Sequence, residues 1–355
     1  MELLVAKDDF HKTRFEPDTD PPEPADGEAV LAIDSFGLTS NNITYVVFGD
    51  SMNYWDFFPG PEGWGRPPVW GYAEVAASKA DGVEEGQRLY GYFPCSSHLV
   101  VEPAGVEEYG FFDGAEHRKP LPSAYQGYRR VEVDPAYDAD RENESVIFWP
   151  LFYTSWLIDD FLADSSLWGA VQVVISSASS KTAIIAAYLL AQREGIEVIG
   201  LTSPGNAGFV GDLGVYHQTV AYDAIEALPD GKTVYVDIAG DGEVRHAVHA
   251  RYGDDLVHSA VVGAARHEQL GAGGDTELDG PIPKFFFAPD RIKIRGKEWG
   301  TPELEKRVAE SWLPFAEWTE SWFKVEPIGA GDIEATYLEI LDGKIDPKVG
   351  HVVSL

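Results

Sequence analysis

The chain has 355 residues, and its 59 acidic and 27 basic side chains give a formal net charge of −32 at pH 7. This excess repels polyanions and argues against a nucleic-acid partner. A hydrophobic content of 44% is enough for two domains, and the single cysteine, Cys95, excludes an intrachain disulfide and a four-cysteine zinc site. The acidity also raises the hypothesis of a saline habitat.

The start of the chain, MELLVAKDDFHK, has neither the basic region nor the apolar core of a signal peptide. No run of about 18 uninterrupted apolar residues occurs, so we expect no membrane partner and a cytoplasmic location. Residues 9–30 are rich in Pro, Asp and Glu, and residues 57–70 in Gly, Pro and aromatics. These compositions predict short strands and turns, and thus a mostly-β domain over residues 1–150.

Residues 150–162, PLFYTSWLIDDFL, have helical periodicity and a hydrophobic content suited to a domain junction. An α/β domain is predicted over residues 151–310. Near the end of the chain, residues 331–341 predict a helix, and the segment GKIDPKVGHVVSL predicts a turn and a final strand.

The most informative segment joins a β-branched run, Val173–Ile175, to an Ala-rich helix predicted from Thr182. The connecting turn carries the hydroxyls of Ser176, Ser177, Ser179, Ser180 and Thr182, together with the charge of Lys181. A helix N-terminus has unpaired N–H groups and a positive dipole end, so this junction predicts a phosphate site. The simpler alternative is that Ser179 or Ser180 only caps the helix.

Two kinds of nucleotide site fit this turn. Ser180, Lys181 and Thr182 imitate the end of a P-loop, and Asp237 after an apolar run imitates its metal-binding aspartate. Both P-loop glycines are missing, however, because Ile175 and Ser180 stand in their places. A dinucleotide site tolerates serine better, since only one pyrophosphate must approach the turn.

Further apolar strands are predicted at residues 197–201, 233–238, 256–263 and 284–287, with room for helices between them. This rhythm predicts a doubly wound parallel sheet. In such sheets an acid after the second strand binds the ribose of NAD, whereas here Thr202, Ser203 and Asn206 follow and no acid does. The sequence therefore favours NADP over NAD, although these residues also suit an ordinary turn.

In residues 284–297, Ile292 and Ile294 alternate with Arg291, Lys293 and Arg295. The alternation predicts a strand with one apolar and one cationic face, either an exposed edge or a contact between subunits of a homodimer. Nine histidines are present, but no set of them provides the three ligands of a catalytic zinc, so no metal site is predicted.

The order of these parts resembles the medium-chain dehydrogenase/reductase superfamily. The serine turn stands where its zinc-free quinone and enone reductases carry a turn of the type GAAGGVG, and Leu213–Gly214 match their Leu-Gly pair. The resemblance implies a Rossmann-type nucleotide-binding domain plus a mostly-β GroES-like domain, to which residues 311–355 return. NNITY, PVWGYAEV and PLFYTSWLID resemble a bacterial branch known only as a domain of unknown function.

The resemblance also implies roles for single residues. Thr202 and Ser203 fall at the corner for the 2′-phosphate of NADP, Tyr222 at the position of a tyrosine that often contacts it, and Val262 and Gly263 beside the nicotinamide amide. The full set of expected cofactor-binding residues is Ser177, Ser179, Ser180, Lys181, Thr182, Thr202, Ser203, Asn206, Tyr222, Ala239, Val262 and Gly263.

The chain departs from zinc alcohol dehydrogenases at their Gly-His-Glu motif, which reads Gly71-Tyr72-Ala73 here. The resemblance therefore implies reduction without zinc, in which hydrogen-bond donors stabilise the developing oxyanion. Asn42 and Tyr45 match residues that lie near the nicotinamide in the resembling reductases, and Tyr72 is a third candidate.

The sequence thus predicts an NADPH-dependent, zinc-independent oxidoreductase that reduces an activated alkene, a quinone or a carbonyl compound. The aromatic-rich stretches 53–65 and 148–156 favour an apolar or aromatic small-molecule substrate in a cleft between the domains. Two alternatives remain: a non-redox protein that binds a nucleotide or another small ligand on the same fold, and a phosphotransferase that uses Lys181.

Overall fold

The structure is a computed structural model that describes residues 1–17, 20–262 and 278–355. The chain divides into two compact units, one formed by residues 1–150 and 316–355 and the other by residues 151–315. The first unit contains a three-stranded and a nine-stranded sheet, and the second unit contains a six-stranded sheet.

The first unit is mostly β, as its turn-rich composition predicts. Its strands are β1 Glu2–Ala6, β2 Asp9–Glu16, β3 Ala29–Leu38, β4 Trp64–Gly65, β5 Pro68–Ser78, β6 Arg88–Pro94, β7 His98–Val101, β8 Pro103–Glu107, β9 Gly110–Asp113, β10 Gly127–Arg130, β17 Lys324–Ile328 and β18 Val349–Ser354. Its helices include α1 Ser40–Val47 and α8 Ile333–Leu341.

The C-terminal strands of the chain join the sheet formed by the N-terminal ones. The nine-stranded sheet has the order β17-β18-β3-β5-β6-β10-β9-β8, with β7 also paired to β3. Strand β18 runs antiparallel to β3, and Val353 pairs with Phe36. The expected GroES-like unit built from both ends of the chain is therefore confirmed. Buried Leu31, Phe93 and Tyr337 belong to its core.

The second unit is a six-stranded parallel sheet with helices between its strands. The strands are β11 Gln172–Ser176, β12 Glu197–Thr202, β13 Gln218–Ala221, β14 Thr233–Asp237, β15 Leu256–Val261 and β16 Lys284–Phe285. The helices that follow them are α3 Lys181–Leu190, α4 Ala207–Asp212, α5 Gly242–Tyr252 and α6 Ala288–Trp299. Two longer helices, α2 Glu142–Asp164 and α7 Thr301–Thr319, contain the positions at which the two units divide.

The strand order of this sheet is β13-β12-β11-β14-β15-β16, and every pair is parallel. The chain therefore moves outward in one direction from β11 and then in the other from β14, which is the Rossmann-type doubly wound order. Val173, Val174 and Ile175 are wholly buried, as an apolar strand in the middle of such a sheet must be. The predicted α/β fold class is confirmed.

The strand predicted in residues 284–297 is wrong beyond its first two residues. The stretch forms helix α6, and Arg291 and Arg295 lie one turn apart on the same face, both about 7% exposed. Each guanidinium binds the carboxylate of Asp160 on α2, at 2.6 and 2.8 Å. The two arginines are four residues apart, the spacing that places side chains on one face of a helix, and the alternation of Ile292 and Ile294 conceals it. The subunit contact inferred from the same residues stays a prediction.

The connection between α2 and β11 contains a left-handed turn. Ser166, Leu167, Trp168 and Gly169 have φ values of 48, 47, 51 and 78°. The left-handed conformation costs a non-glycine residue about 1–2 kcal/mol, and three such residues adopt it in succession here. The turn places the Trp168 indole parallel to the imidazole of His258 on β15, with ring centroids 3.8 Å apart. Stacking of the two rings and burial of Leu167 oppose the strain.

Among the described residues, one helical stretch, Ala139–Asp164, is long and apolar enough to cross a bilayer by length and composition. Within its most apolar window 67% of the residues are buried inside the protein. A buried helix of a globular core passes the same test, so the stretch is weak support for a membrane span.

Candidate functional site

The carboxyl ends of the parallel strands form the candidate nucleotide site of the second unit. Because adjacent parallel strands point the same way, the residues after β11, β12, β13, β14 and β15 meet at one edge of the sheet. The predicted residues that follow these strand ends, or end them, are Ser177, Ser179, Ser180, Lys181, Thr182, Thr202, Ser203, Asn206, Tyr222, Ala239 and Val262. Gly263, also predicted, lies outside the described residues.

The turn after β11 is held by a tyrosine that follows another strand. Ser177 adopts φ 54°, the left-handed region that glycine normally occupies. In this conformation its N–H donates to the hydroxyl oxygen of Tyr222, which follows β13, at 2.8 Å. Burial raises the pKa of Tyr222, and the bond from Ser177 lowers it in part, so the phenol stays protonated near neutral pH.

A second contact reaches the turn from the end of β12. The side-chain amide of Asn206 donates to Ser179 Oγ at 3.0 Å. Ser179 is half-buried, and Thr202 at the end of β12 is 1% exposed whereas Ser203 is partly exposed. Of the two residues expected at the 2′-phosphate corner, Ser203 is thus the more accessible.

Helix α3 begins directly after the turn. Ser180 is its N-cap, and Ser180 Oγ accepts from the N–H of Ala183 at 3.4 Å. The capping role that the sequence left open for Ser179 or Ser180 therefore belongs to Ser180. Lys181 is the first helical residue, and both Lys181 and Thr182 are partly exposed. The first-turn N–H groups of a helix favour an anion.

Ser176 organises the junction between β11 and β14, a role that the sequence does not predict. Its hydroxyl donates to Asp237 Oδ1 at 3.0 Å and accepts from the N–H groups of Ile238 and Ala239, each at 3.0 Å. The second oxygen of Asp237 accepts from Arg245 Nε at 2.8 Å. Ser176 and Asp237 are wholly buried, and Arg245 is 5% exposed.

This network bears on the P-loop alternative. The carboxylate of Asp237 accepts from Ser176, from the N–H of Gly240 and from Arg245. An aspartate that binds a metal must have a carboxylate oxygen available for the metal. Both oxygens of Asp237 accept hydrogen bonds within the protein, and its charge is paired with Arg245. The structure therefore gives no support to a phosphotransferase that holds magnesium on Asp237.

Asn42, the first of the candidate catalytic residues in the other unit, has both ends of its side chain engaged. It lies on α1, its Oδ1 accepts from the N–H of Thr39 at 2.6 Å, and its Nδ2 donates to the carbonyl of Pro68 at 2.8 Å. Thr39 is the N-cap of α1, so the pair forms a capping box. Asn42 is 3% exposed.

Tyr45 lies one turn further along α1 and is 4% exposed. Its hydroxyl oxygen accepts from Asn41 Nδ2 at 2.8 Å and from Trp70 Nε1 at 3.0 Å. The two bonds occupy the oxygen as an acceptor, which leaves the phenolic proton to be donated elsewhere. Burial raises the pKa of Tyr45 well above its usual value, so the side chain is neutral.

Tyr72 lies on β5 and does not contact Tyr45 directly. Its ring packs against Tyr90 and Tyr137, with centroids 5.2 and 6.1 Å away, and the Arg88 guanidinium lies 5.1 Å from its ring centre. Trp70 and Tyr90, stacked at 5.7 Å, lie between the two candidates. Tyr72 is 3% exposed, and burial raises its pKa.

Tyr45 belongs to a buried cluster of mostly aromatic side chains. Its members are Tyr45, Tyr54, Phe57, Phe58, Tyr92 and Leu121, and Trp70 and Tyr125 pack against it. The centroids of Tyr54 and Tyr92 lie 4.8 and 5.2 Å from that of Tyr45. The hydroxyls of Tyr90 and Tyr92 are buried without a hydrogen-bond partner within the described part of the chain. The aromatic stretch 53–65 predicts this density, but not the contribution of Tyr125.

Across residues 1–17, 20–262 and 278–355, no group of three or more His, Cys, Asp or Glu side chains is arranged to hold a metal ion. Tyr72, at the position that the resemblance assigns to the zinc-binding histidine, packs against Tyr90 and Tyr137.

Comparison with known proteins identifies the family. Residues 36–346 match the family described as Protein of unknown function (DUF2855). The chain belongs to this family. No curated protein matches it. The description of this family names no activity.

Solved structures share the fold over nearly the whole chain. CurA from Vibrio vulnificus, solved with NADPH, is 14% identical, with a TM-score of 0.59 over 95% of this chain and 93% of its own. The yhdH oxidoreductase from Salmonella enterica, solved with NADP, is 16% identical, with a TM-score of 0.55 over 100% of both chains. The human synaptic vesicle membrane protein VAT-1 homolog-like protein is 13% identical, with a TM-score of 0.58 over 100% and 99%. The likeness to these structures confirms the expected fold, a Rossmann-type domain together with a mostly-β domain.

Proposed function

We propose that this DUF2855 protein is an NADPH-dependent, zinc-independent oxidoreductase that reduces an activated alkene, a quinone or a carbonyl compound. The observation that carries the proposal is the serine turn at the carboxyl edge of the parallel sheet. It is held at two points, by Tyr222 on the Ser177 N–H and by Asn206 on Ser179 Oγ. A turn fixed beside a helix N-terminus suits the pyrophosphate of a dinucleotide.

The choice of NADPH rests on the residues after β12. An acid at this position would bind the ribose hydroxyls of NAD, and the chain instead continues with Ser203, Pro204, Gly205 and Asn206. Lys181 adds a positive charge at the first position of α3. CurA and the yhdH oxidoreductase, with the same fold, were solved with NADPH and NADP.

A bound nicotinamide would supply the hydride. The protein must then stabilise the negative charge that develops on the substrate oxygen, and a phenolic proton can do so in a dry site. Tyr45 can donate such a proton. Its oxygen already accepts hydrogen bonds from Asn41 and Trp70, and neither bond uses the phenolic proton. The aromatic cluster around it favours a flat, apolar substrate.

One observation favours a second candidate, a non-redox protein that binds a nucleotide or another small ligand. Asn42, Tyr45 and Tyr72 are each at most 4% exposed, and Asn42 is fully engaged in capping α1. A substrate would need to reach these buried side chains. Consumption of NADPH in the presence of quinones or enones separates the two candidates, because only the oxidoreductase oxidises the cofactor.

Titration with NADPH, followed by quenching of tryptophan fluorescence, tests cofactor binding. We expect saturable binding, and Lys181→Ala should weaken NADPH more than NADH, by about tenfold, if the ammonium group reaches the 2′-phosphate. Lys232→Ala is the matched control, because Lys232 is exposed and precedes β14 at the opposite edge of the sheet. Absence of binding by NADPH, NADH and NADP alike would overturn the proposal.

A further inference from the structure

The serine hydroxyls of the turn differ in how their oxygens are used. Ser176 Oγ accepts two N–H groups and donates to Asp237, so it is occupied within the protein. Ser179 Oγ accepts one bond, from the side-chain amide of Asn206. An amide NH₂ group can only donate, so the hydroxyl proton of Ser179 cannot point toward Asn206.

We infer that Asn206 is a positioning residue, which acts on a bound phosphoryl group through Ser179 and does not contact it. By donating to Ser179 Oγ, Asn206 fixes this hydroxyl as a hydrogen-bond donor toward the ligand. The inference rests on the proposed function and deepens it: the chain recognises the pyrophosphate of its dinucleotide partly by an oriented hydroxyl.

The position of both residues fits this role. Ser179 lies one residue before the N-cap of α3 and is only half-buried, so its hydroxyl borders the place where an anion binds a helix N-terminus. Asn206 is in a short turn that continues directly into α4 at Ala207, so its backbone is fixed by local structure. A glycine at position 179 would leave the amide of Asn206 without this acceptor.

The bond from Ser177 to Tyr222 strengthens the case. It fixes the backbone of the turn two residues before Ser179, so the turn is held on one side by a side chain after β13 and on the other by a side chain after β12. Preorganised donors stabilise an anion better than mobile ones, because no ordering is needed when the ligand binds.

A double-mutant cycle tests the inference, with NADPH as the probe and the full-length chain throughout. We expect Ser179→Ala to weaken NADPH binding about tenfold and Asn206→Ala to weaken it about fivefold, since each removes or misorients one charge-assisted hydrogen bond. The double variant should bind no more weakly than Ser179→Ala alone, because Asn206 acts through a hydroxyl that is already absent.

Two further readouts exclude a merely structural role. If NADPH is oxidised, Asn206→Ala should raise the KM for NADPH without lowering kcat, and its free energy of unfolding should fall by no more than about 1 kcal/mol, the value of one partly exposed hydrogen bond. Gln192→Ala is the matched control, because this exposed amide donates only to the carbonyl of Tyr188 at the far end of α3, and its affinity should not change.

Equal effects of Asn206→Ala in the unmodified chain and in the Ser179→Ala variant would overturn the inference and leave the proposed function standing, since Asn206 would then contact the ligand itself. Failure of the unmodified chain to bind any of NADPH, NADH and NADP would overturn both.

Discussion

The hydroxyl of Ser176 donates a 3.0 Å hydrogen bond to the carboxylate of Asp237, and neither side chain has any exposed surface. The bond ties the end of β11 to the end of β14, the two strands from which the sheet is wound in opposite directions. Residues that follow these two strands are among those proposed to bind the cofactor, so this contact fixes the distance between two parts of the proposed site.

Replacement of Ser176 by alanine should destabilise the fold. The change leaves the N–H groups of Ile238 and Ala239 without their acceptor and removes one donor from the buried Asp237, so we expect a loss of about 2–3 kcal/mol in the free energy of unfolding. Urea denaturation measures it. Ser321→Ala, at an exposed serine bonded only to a nearby carbonyl, should change stability by less than about 0.5 kcal/mol. Equal effects of the two variants would contradict the role of Ser176.

Replacement of Ser177 by glycine should stabilise the protein by about 1 kcal/mol. Ser177 has φ 54°, and glycine adopts this conformation without the steric cost that a Cβ imposes. Thermal unfolding measures the change. Ser203→Gly is the matched control: Ser203 has φ −69°, so glycine brings only flexibility there and should destabilise by about 0.5–1 kcal/mol. A destabilised Ser177→Gly variant would show that the serine side chain itself is needed.

Arg295→Met should lower the free energy of unfolding by about 2–4 kcal/mol, because it removes a cation from the buried carboxylate of Asp160 while keeping the length of the side chain. The remaining partner, Arg291, limits the loss. Chemical denaturation tests this value. Lys293→Met, on the exposed side of the same helix, has a side chain that is 77% exposed and should alter stability by no more than about 0.5 kcal/mol. A loss of similar size in both variants would argue against the buried network.

The stability of the fold should fall between pH 6.5 and 4 in part because of His258. Burial first, and then the charge of Lys284, lowers the pKa of His258 to about 4 from its usual 6.5. The unfolded chain therefore binds a proton more readily, so the contribution is complete above pH 6.5 and is lost as the pH falls toward 4. We expect this loss to be about 2–3 kcal/mol, since each pKa unit corresponds to about 1.4 kcal/mol.

The variant His258→Phe isolates the contribution of His258 to the pH dependence of stability, because phenylalanine can stack on Trp168 but does not titrate. Denaturation curves at pH 7, 6, 5 and 4 should decline less steeply for the variant than for the unmodified chain. Parallel declines would mean that His258 does not contribute.

Tyr45→Phe should lower turnover about a hundredfold if its phenolic proton stabilises the developing oxyanion, while NADPH affinity stays nearly constant. Steady-state kinetics with a quinone or an enone provide the measurement. Tyr90→Phe is the control within the same aromatic surroundings: its buried hydroxyl has no hydrogen-bond partner among the described residues, so its removal should leave turnover unchanged. Full activity of Tyr45→Phe would remove Tyr45 from the mechanism.

The sheet of the second unit could be predicted because its strands are short apolar runs and their burial follows from hydrophobicity alone. Val173–Ile175 and the later runs are strands, close to the predicted bounds. The residues of the serine turn could be predicted too, because a turn must follow the end of a predicted strand. The network of Ser176, Asp237 and Arg245 could not, because its members are 61 and 8 residues apart and no local pattern joins them.

The strand predicted in residues 284–297 is wrong beyond Phe285, because local alternation conceals the spacing of Arg291 and Arg295, whose partner on α2 lies more than 130 residues earlier. The left-handed turn at Ser166–Gly169 has a glycine only at its end, so turn propensity does not predict it. In the first unit, resemblance alone points to Tyr45, but the bonds from Asn41 and Trp70 that orient its proton depend on the folded packing of α1 against β5.

The serine turn has a consequence for how this family can diversify. A glycine-rich loop binds its ligand through main-chain groups, which every amino acid has. Substitution of a side chain in such a loop therefore changes ligand recognition little. Here the contacts that shape the turn belong to the side chains of Ser179, Asn206 and Tyr222. Single amino-acid changes at these three positions should therefore alter the shape of the turn, and with it the anion preference of the proposed cofactor site.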